Sequence, residues 1–131
     1  MEIIEEYQEI RQLYPLIKDT DASQAFNLMQ KSNVLKSYLD EQAVDANKVV
    51  TILKNEIDIV KSKESLIGDP KNSTNGNRKA MASDSYHDAI EEYAKAKSFS
   101  DLLERQIDFL KNVSYQMYTI WDNCKKKGER Y

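Results

Sequence analysis

The sequence predicts an all-α fold: a long antiparallel helical hairpin with coiled-coil-like packing, a short N-terminal helix, and a bundle completed by oligomerisation. Three observations predict it. The 131 residues include only three Gly and two Pro, while 31% are charged, a composition that suits helices better than sheets or disorder. Two segments of similar length carry apolar residues at alternating spacings of three and four. Between them lies GDPKNSTNGNRKAMAS, residues 68–83, with two of the three glycines and one of the two prolines.

The first helix spans about 2–14, with Ile3, Tyr7, Ile10, Tyr14 and Ile17 on one stripe. Pro15 lacks an N–H and clashes with the preceding turn, so the helix ends or kinks near Leu13–Tyr14. Asp21, with Gln24 three residues on, reads as an N-cap with a capping-box partner. A long helix then runs over about 21–66. Its main row is Leu28, Ser32, Leu35, Leu39, Gln42, Ala46, Val49, Leu53, Glu56 and Val60; Val34, Tyr38, Val50 and Ile57 form a second row.

Residues 67–84 read as a basic turn whose glycines and proline reverse the chain. Ser85 and Asp88 offer the next N-cap region, and a second long helix covers about 85–127. Its stripe is Ala89, Tyr93, Ala96, Ser100, Leu103, Ile107, Leu110, Ser114, Met117, Trp121 and Cys124. Gly128 is expected to stop it after the cationic turn Lys125-Lys126-Lys127, which suits the negative end of the helix dipole. The whole, 1–131, reads as a single helical domain.

Both long helices carry wider apolar faces than a two-stranded seam needs, which points to a homo-oligomer. Gln42, Glu56, Ser100 and Ser114 intrude on the rows, either as register-setting polar positions or as edge positions.

Little in the sequence points to catalysis. His87 is the single histidine; it adjoins Asp88 but has no accompanying nucleophile, so it reads as a helix-surface residue. Cys124 is the single cysteine and falls on the apolar stripe, where a packed thiol is expected. One His and one Cys do not make a zinc set, and no phosphate-cradling glycine motif is present. The expectation is a protein that is not an enzyme and needs no cofactor or metal.

The start, MEIIEEYQEI, is acidic and lacks an apolar run, and no segment approaches the ~18 apolar residues of a membrane span. A cytoplasmic protein without a membrane partner is expected, and the sequons at Asn72 and Asn112 read as chance.

Charge is unevenly placed. The total is −3, from 19 Lys+Arg and 22 Asp+Glu. Residues 1–21 hold six acids, among them Glu2, Glu5, Glu6 and Glu9, against Arg11 and Lys18. Residues 61–79 hold Lys61, Lys63, Lys71, Arg78 and Lys79 against Glu64 and Asp69. Residues 111–131 hold Lys111, Lys125, Lys126, Lys127 and Arg130 against Asp122 and Glu129. A hairpin would therefore have a cationic tip and a secondary basic tail. Its cations either complement helix dipoles or grip phosphates, with Asn72, Ser73, Thr74, Asn75 and Asn77 as added donors. Tyr7, Tyr14, Tyr38 and Tyr93 read mostly as core. Tyr86, Tyr115, Tyr118 and Tyr131 could be partly exposed, where stacking on unpaired bases becomes available.

The layout is a long helix ending in lysines, then Thr74-x-x-x-Arg78-Lys79-Ala80-Met81-Ala82-Ser83-Asp84. A second long helix follows, with Tyr86, alanines and Arg105. This resembles small helical proteins of tailed bacteriophages grouped with the UvsY-like recombination mediators, over roughly residues 22–121. The resemblance implies a non-enzymatic homo-oligomer that binds single-stranded DNA and helps a RecA-like recombinase displace single-strand-binding protein. It also implies that the basic link, with Arg78 and Lys79, touches DNA. The acidic total departs from that pattern. A second reading stays open: an acidic helical adaptor, inhibitor or assembly chaperone without DNA binding. A third is a coiled-coil piece of a virion.

Overall fold

The computed structural model describes residues 2–129, so Arg130 and Tyr131 lie outside the described residues. The fold is all-helical: α1 (Ile3–Leu13), a 3-10 turn (Tyr14–Leu16), α2 (Ala22–Gly68), α3 (Ser73–Met81) and α4 (Asp84–Glu129). The two long helices, α2 and α4, pack against each other. The chain divides into two compact units, Met1–Gln42 with Leu103–Tyr131, and Ala43–Leu102.

In the first unit, helix starts and stops follow from local chemistry. Pro15 converts the end of α1 into the 3-10 turn. Asp21 Oδ1 accepts from the Gln24 N–H at 3.1 Å, capping the start of α2. The core comprises Ile10, Ala25, Leu28, Leu35, Leu39, Leu103, Leu110, Val113 and Met117. Phe26 meets Trp121 with ring centroids 5.6 Å apart, and Ser114 Oγ donates to Asn33 Oδ1 at 2.6 Å. Rising positions on α2 thus meet falling positions on α4, and both pairs of residue numbers add to 147.

α1 is tied to its own unit. Tyr7 and Tyr14 meet Phe109 edge-on at 5.5 and 5.3 Å, Arg11 lies 5.7 Å from the Phe109 ring centre, and Glu9 pairs with Lys31 at 3.8 Å. Burial among these groups raises the Tyr7 pKa, only partly opposed by the Arg11 charge. Cys124 is half-buried and its Sγ donates to the Asp19 carbonyl at 3.3 Å, fastening α4 to the link before α2.

In the second unit, Ser100 Oγ donates to Asn47 Oδ1 at 2.6 Å. The two serines that interrupt the α4 stripe are therefore hydrogen-bonded across to α2, each to an asparagine.

The α4 row expected from the sequence is buried or half-buried along its whole length. The α2 row is not. Val49 and Glu56 are exposed, and in the second unit the inward positions are Ala46, Val50, Leu53, Ile57, Val60 and Glu64. A strict three-four template has a period of 3.5, and a straight helix drifts about 20° from it per heptad. Over the four to five heptads from Leu28 to Val60 that amounts to roughly 90°. Val34 and Tyr38 lie outside without any drift, about 120° and 80° round the helix from Leu28, and Tyr38 is 51% exposed rather than core.

Ser32 is fully buried and its Oγ has no hydrogen-bond partner among the described residues. An unsatisfied hydroxyl is costly, and alanine is also the better helix former. Ser32→Ala should therefore raise the unfolding free energy by about 1 kcal/mol, read as a higher urea midpoint at unchanged slope.

Candidate nucleic-acid interface

Residues 67–84, expected as a turn, contain a helix. The structure builds this end of the second unit from three interlocking caps. Pro70 has no N–H, and Asp69 takes up the next two: its Oδ1 accepts from Lys71 N at 3.2 Å and Asn72 N at 3.1 Å. Asn72 is the N-cap of α3, its side chain accepting from Asn75 N at 3.2 Å. Asn75 Nδ2 donates back to Asp69 Oδ2 at 3.0 Å. Ser83 then caps α4, its Oγ accepting from Tyr86 N at 3.2 Å while donating to the Ala80 carbonyl at 2.7 Å. The α4 cap is thus Ser83, two residues before the expected Ser85.

The glycines serve packing rather than turn geometry, since no described glycine has a positive φ. Gly76 is buried, and a Cβ there would lie 2.6 Å from both the carbonyl oxygen and Oγ of Ser65. At Gly68 a Cβ would meet the Lys79 Cβ at 2.9 Å. Glycine at these two positions lets α3 lie directly on the end of α2. Gly128, expected to stop α4, is instead inside the helix, with nothing near its missing side chain.

Asp69 is held below the usual carboxylate range. The Asn75 side-chain bond is the largest cause, opposed by desolvation and reinforced by the Lys71 and Asn72 amides and the Lys79 charge. A depressed folded pKa contributes order that is fully present above the ordinary value of 3.8 and is lost as pH falls through the lower folded value. The Lys71 and Asn72 amide proton shifts should stay constant from neutral pH down to about 4 and move only below it.

The expected site cations are not equivalent. Lys63, Lys71 and Arg78 are exposed, and Lys61 is half-buried. Lys79 is exposed, yet its Nζ donates to the Gly68 carbonyl at 3.2 Å and its stem covers Gly68, so it caps the end of α2. Among the described residues none of the five lies within 4.0 Å of a carboxylate. Lys61 and Lys63 do not share a face, because two residues turn an α-helix by about 200°. Of the five expected donors, Asn75 gives its Nδ2 to Asp69 and Asn72 uses its Oδ1 as the cap, while Asn72, Ser73, Thr74 and Asn77 are exposed.

The basic tail is more engaged than the tip. Lys125 lies 5.2 Å from the Trp121 ring centre, Lys126 pairs with Asp122 at 3.0 Å, and Lys127 is exposed. Arg130 falls outside the described residues. Tyr115 and Tyr118 are exposed, whereas Tyr86 is half-buried.

His87 is exposed at the start of α4. Among the described residues no three His, Cys, Asp or Glu side chains gather as a metal set. Among them, too, no helix is long and apolar enough to cross a membrane. Comparison with protein-family models, curated proteins and solved structures finds no match to this chain.

Proposed function

We propose that the chain is a non-enzymatic accessory protein of phage DNA recombination or replication, working in the host cytoplasm. In this reading α2 and α4 form an antiparallel, coiled-coil-like hairpin that oligomerises. Its cationic end captures single-stranded DNA and assists loading of a RecA-like recombinase in place of single-strand-binding protein. The observation that carries the reading is a set of exposed, unpaired cations, Lys63, Lys71 and Arg78, on a braced end of the second unit. Such cations attract phosphates without reading sequence, and the bracing reduces what must be ordered on binding. Lys61 supports the same field, and Lys79 acts mainly through α3 packing. Light scattering of the purified protein, with and without a short single-stranded oligonucleotide, tests the reading. It predicts a mass above one chain that grows further with DNA; an unchanged mass contradicts DNA capture.

A second reading rests on a different place. In the first unit a groove between α1 and α2 is lined by Ile10, Leu13, Leu28 and Val34 together with Glu6, Glu9 and Lys31, of which Glu9 pairs with Lys31 and Glu6 has no such partner among the described residues. A basic amphipathic segment of another protein suits that chemistry. Such a partner makes the chain an adaptor or inhibitor, recovered in a pull-down that Glu6→Lys with Glu9→Lys abolishes.

A further inference from the structure

The second unit leaves one helix face of α2 without a partner. Val49, Ile52, Glu56, Ile59, Lys63 and Leu66 follow one another at spacings of three and four on a side about 100° round the helix from Leu53, Ile57 and Val60. The four apolar members are 47%, 65%, 46% and 65% exposed. These six consecutive a/d positions span about 25 Å and are not a scatter of single surface residues.

Two charges interrupt it, Glu56 and Lys63, of opposite sign and seven residues apart. Neither has an ion-pair partner among the described residues. This pattern favours one way of covering the stripe. A parallel, in-register pair of such helices sets Glu56 against Glu56 and Lys63 against Lys63, two like-charge contacts. In the antiparallel a-to-d register, Val49 lies opposite the partner subunit's Leu66, Ile52 opposite the partner subunit's Lys63, and Glu56 opposite the partner subunit's Ile59. Each Glu56 is then about one helical turn, some 6 Å along the axis, from the partner subunit's Lys63. That offset is within reach of two long side chains, and the two-fold axis makes the contact twice.

We propose that a second copy of this chain covers this face, α2 against α2, antiparallel about a two-fold axis near residues 57–58. The inference does not depend on DNA binding. It draws Lys63 toward the partner subunit and leaves Lys71 and Arg78 to face solvent.

The test is sedimentation velocity over a concentration series, without DNA, on the wild type, E56K, K63E and the E56K/K63E double variant. All these changes lie on exposed helix positions, and circular dichroism checks that helix content is kept. The wild type should self-associate. Each single swap should weaken association about ten-fold or more by creating like-charge contacts, and the double swap should restore it. A monomeric wild type overturns the proposal. So does a single swap without effect, which fits a parallel pair, or a double swap that fails to restore association, which fits another surface. I59E, which places two carboxylates beside the axis, should dissociate the pair, and an I59E chain that still associates also overturns it. DNA binding is read separately through Lys71 and Arg78, so either reading can fail alone.

Discussion

Leu110→Ala is expected to lower the unfolding free energy by about 2–5 kcal/mol, the range for a buried leucine whose surroundings cannot collapse onto the void. Leu110 has no exposed surface, and it shares the first unit with the buried Leu35, Leu39, Val113 and Met117. A chain of this size has roughly 5–15 kcal/mol in all, so the loss is a large fraction of the total. Urea unfolding should show a clearly lower midpoint, and thermal unfolding a drop on the order of 10 °C. Tyr115→Ala is the control: that side chain is 72% exposed and its removal should cost within about 0.5 kcal/mol. Similar midpoints for the two variants would contradict the assigned core.

Gly76→Ala is the second large effect, and its sign is informative. Alanine is the better helix former by about 1 kcal/mol, so an α3 lying loosely against solvent would be stabilised. The structure predicts the reverse. The added methyl would sit 2.6 Å from the Ser65 backbone carbonyl, which cannot move without bending α2. Overpacking of this kind costs about 1–3 kcal/mol, so α3 should lift off the helix end. Amide exchange across Ser73–Met81 should accelerate about ten-fold or more, with the amides of Asn75 and of position 76 among those affected. A stabilised protein with unchanged exchange would mean that α3 does not pack there.

Much of the fold is legible in the residues, but unevenly so. The stripe of α4 can be followed from Ala89 to Cys124 because its apolar positions are dense enough to tolerate template drift. In α2 the apolar positions lie on two faces, so a 3.5-residue template slides from one to the other and takes Val49 and Glu56 as inward. Ser100 and Ser114 look like defects until the helix pairing is known. Their partners, Asn47 and Asn33, are 53 and 81 residues away, and no local pattern links them.

The basic end is where the sequence misleads most. Gly, Asn and Ser at 72–77 signal a turn by composition, yet Asn72 and Ser83 are residue types that favour N-caps, a cue that the local sequence itself carries. What cannot be read locally is why a glycine stands inside α3: Gly76 is required by Ser65, on another helix. The positions of the cations are legible in the sequence, but their availability is not. Lys79 is drawn to the Gly68 carbonyl and Lys126 to Asp122, while Lys71 and Arg78 have no carboxylate partner among the described residues.

The central claim, phosphate capture at the α2–α3 end, is tested most directly by fluorescence anisotropy of a labelled single-stranded oligonucleotide across a salt series. The measurement compares the wild type with Lys71→Ala/Arg78→Ala, which leaves every cap in place. With about three cations on phosphates, Lys71, Arg78 and, where Lys63 faces a partner subunit, Lys61, log affinity should fall with log salt at a slope near −2, and losing two of them should flatten it to about −0.7 while weakening binding at low salt. Absence of binding at low salt, or identical curves for the two proteins, would contradict the account.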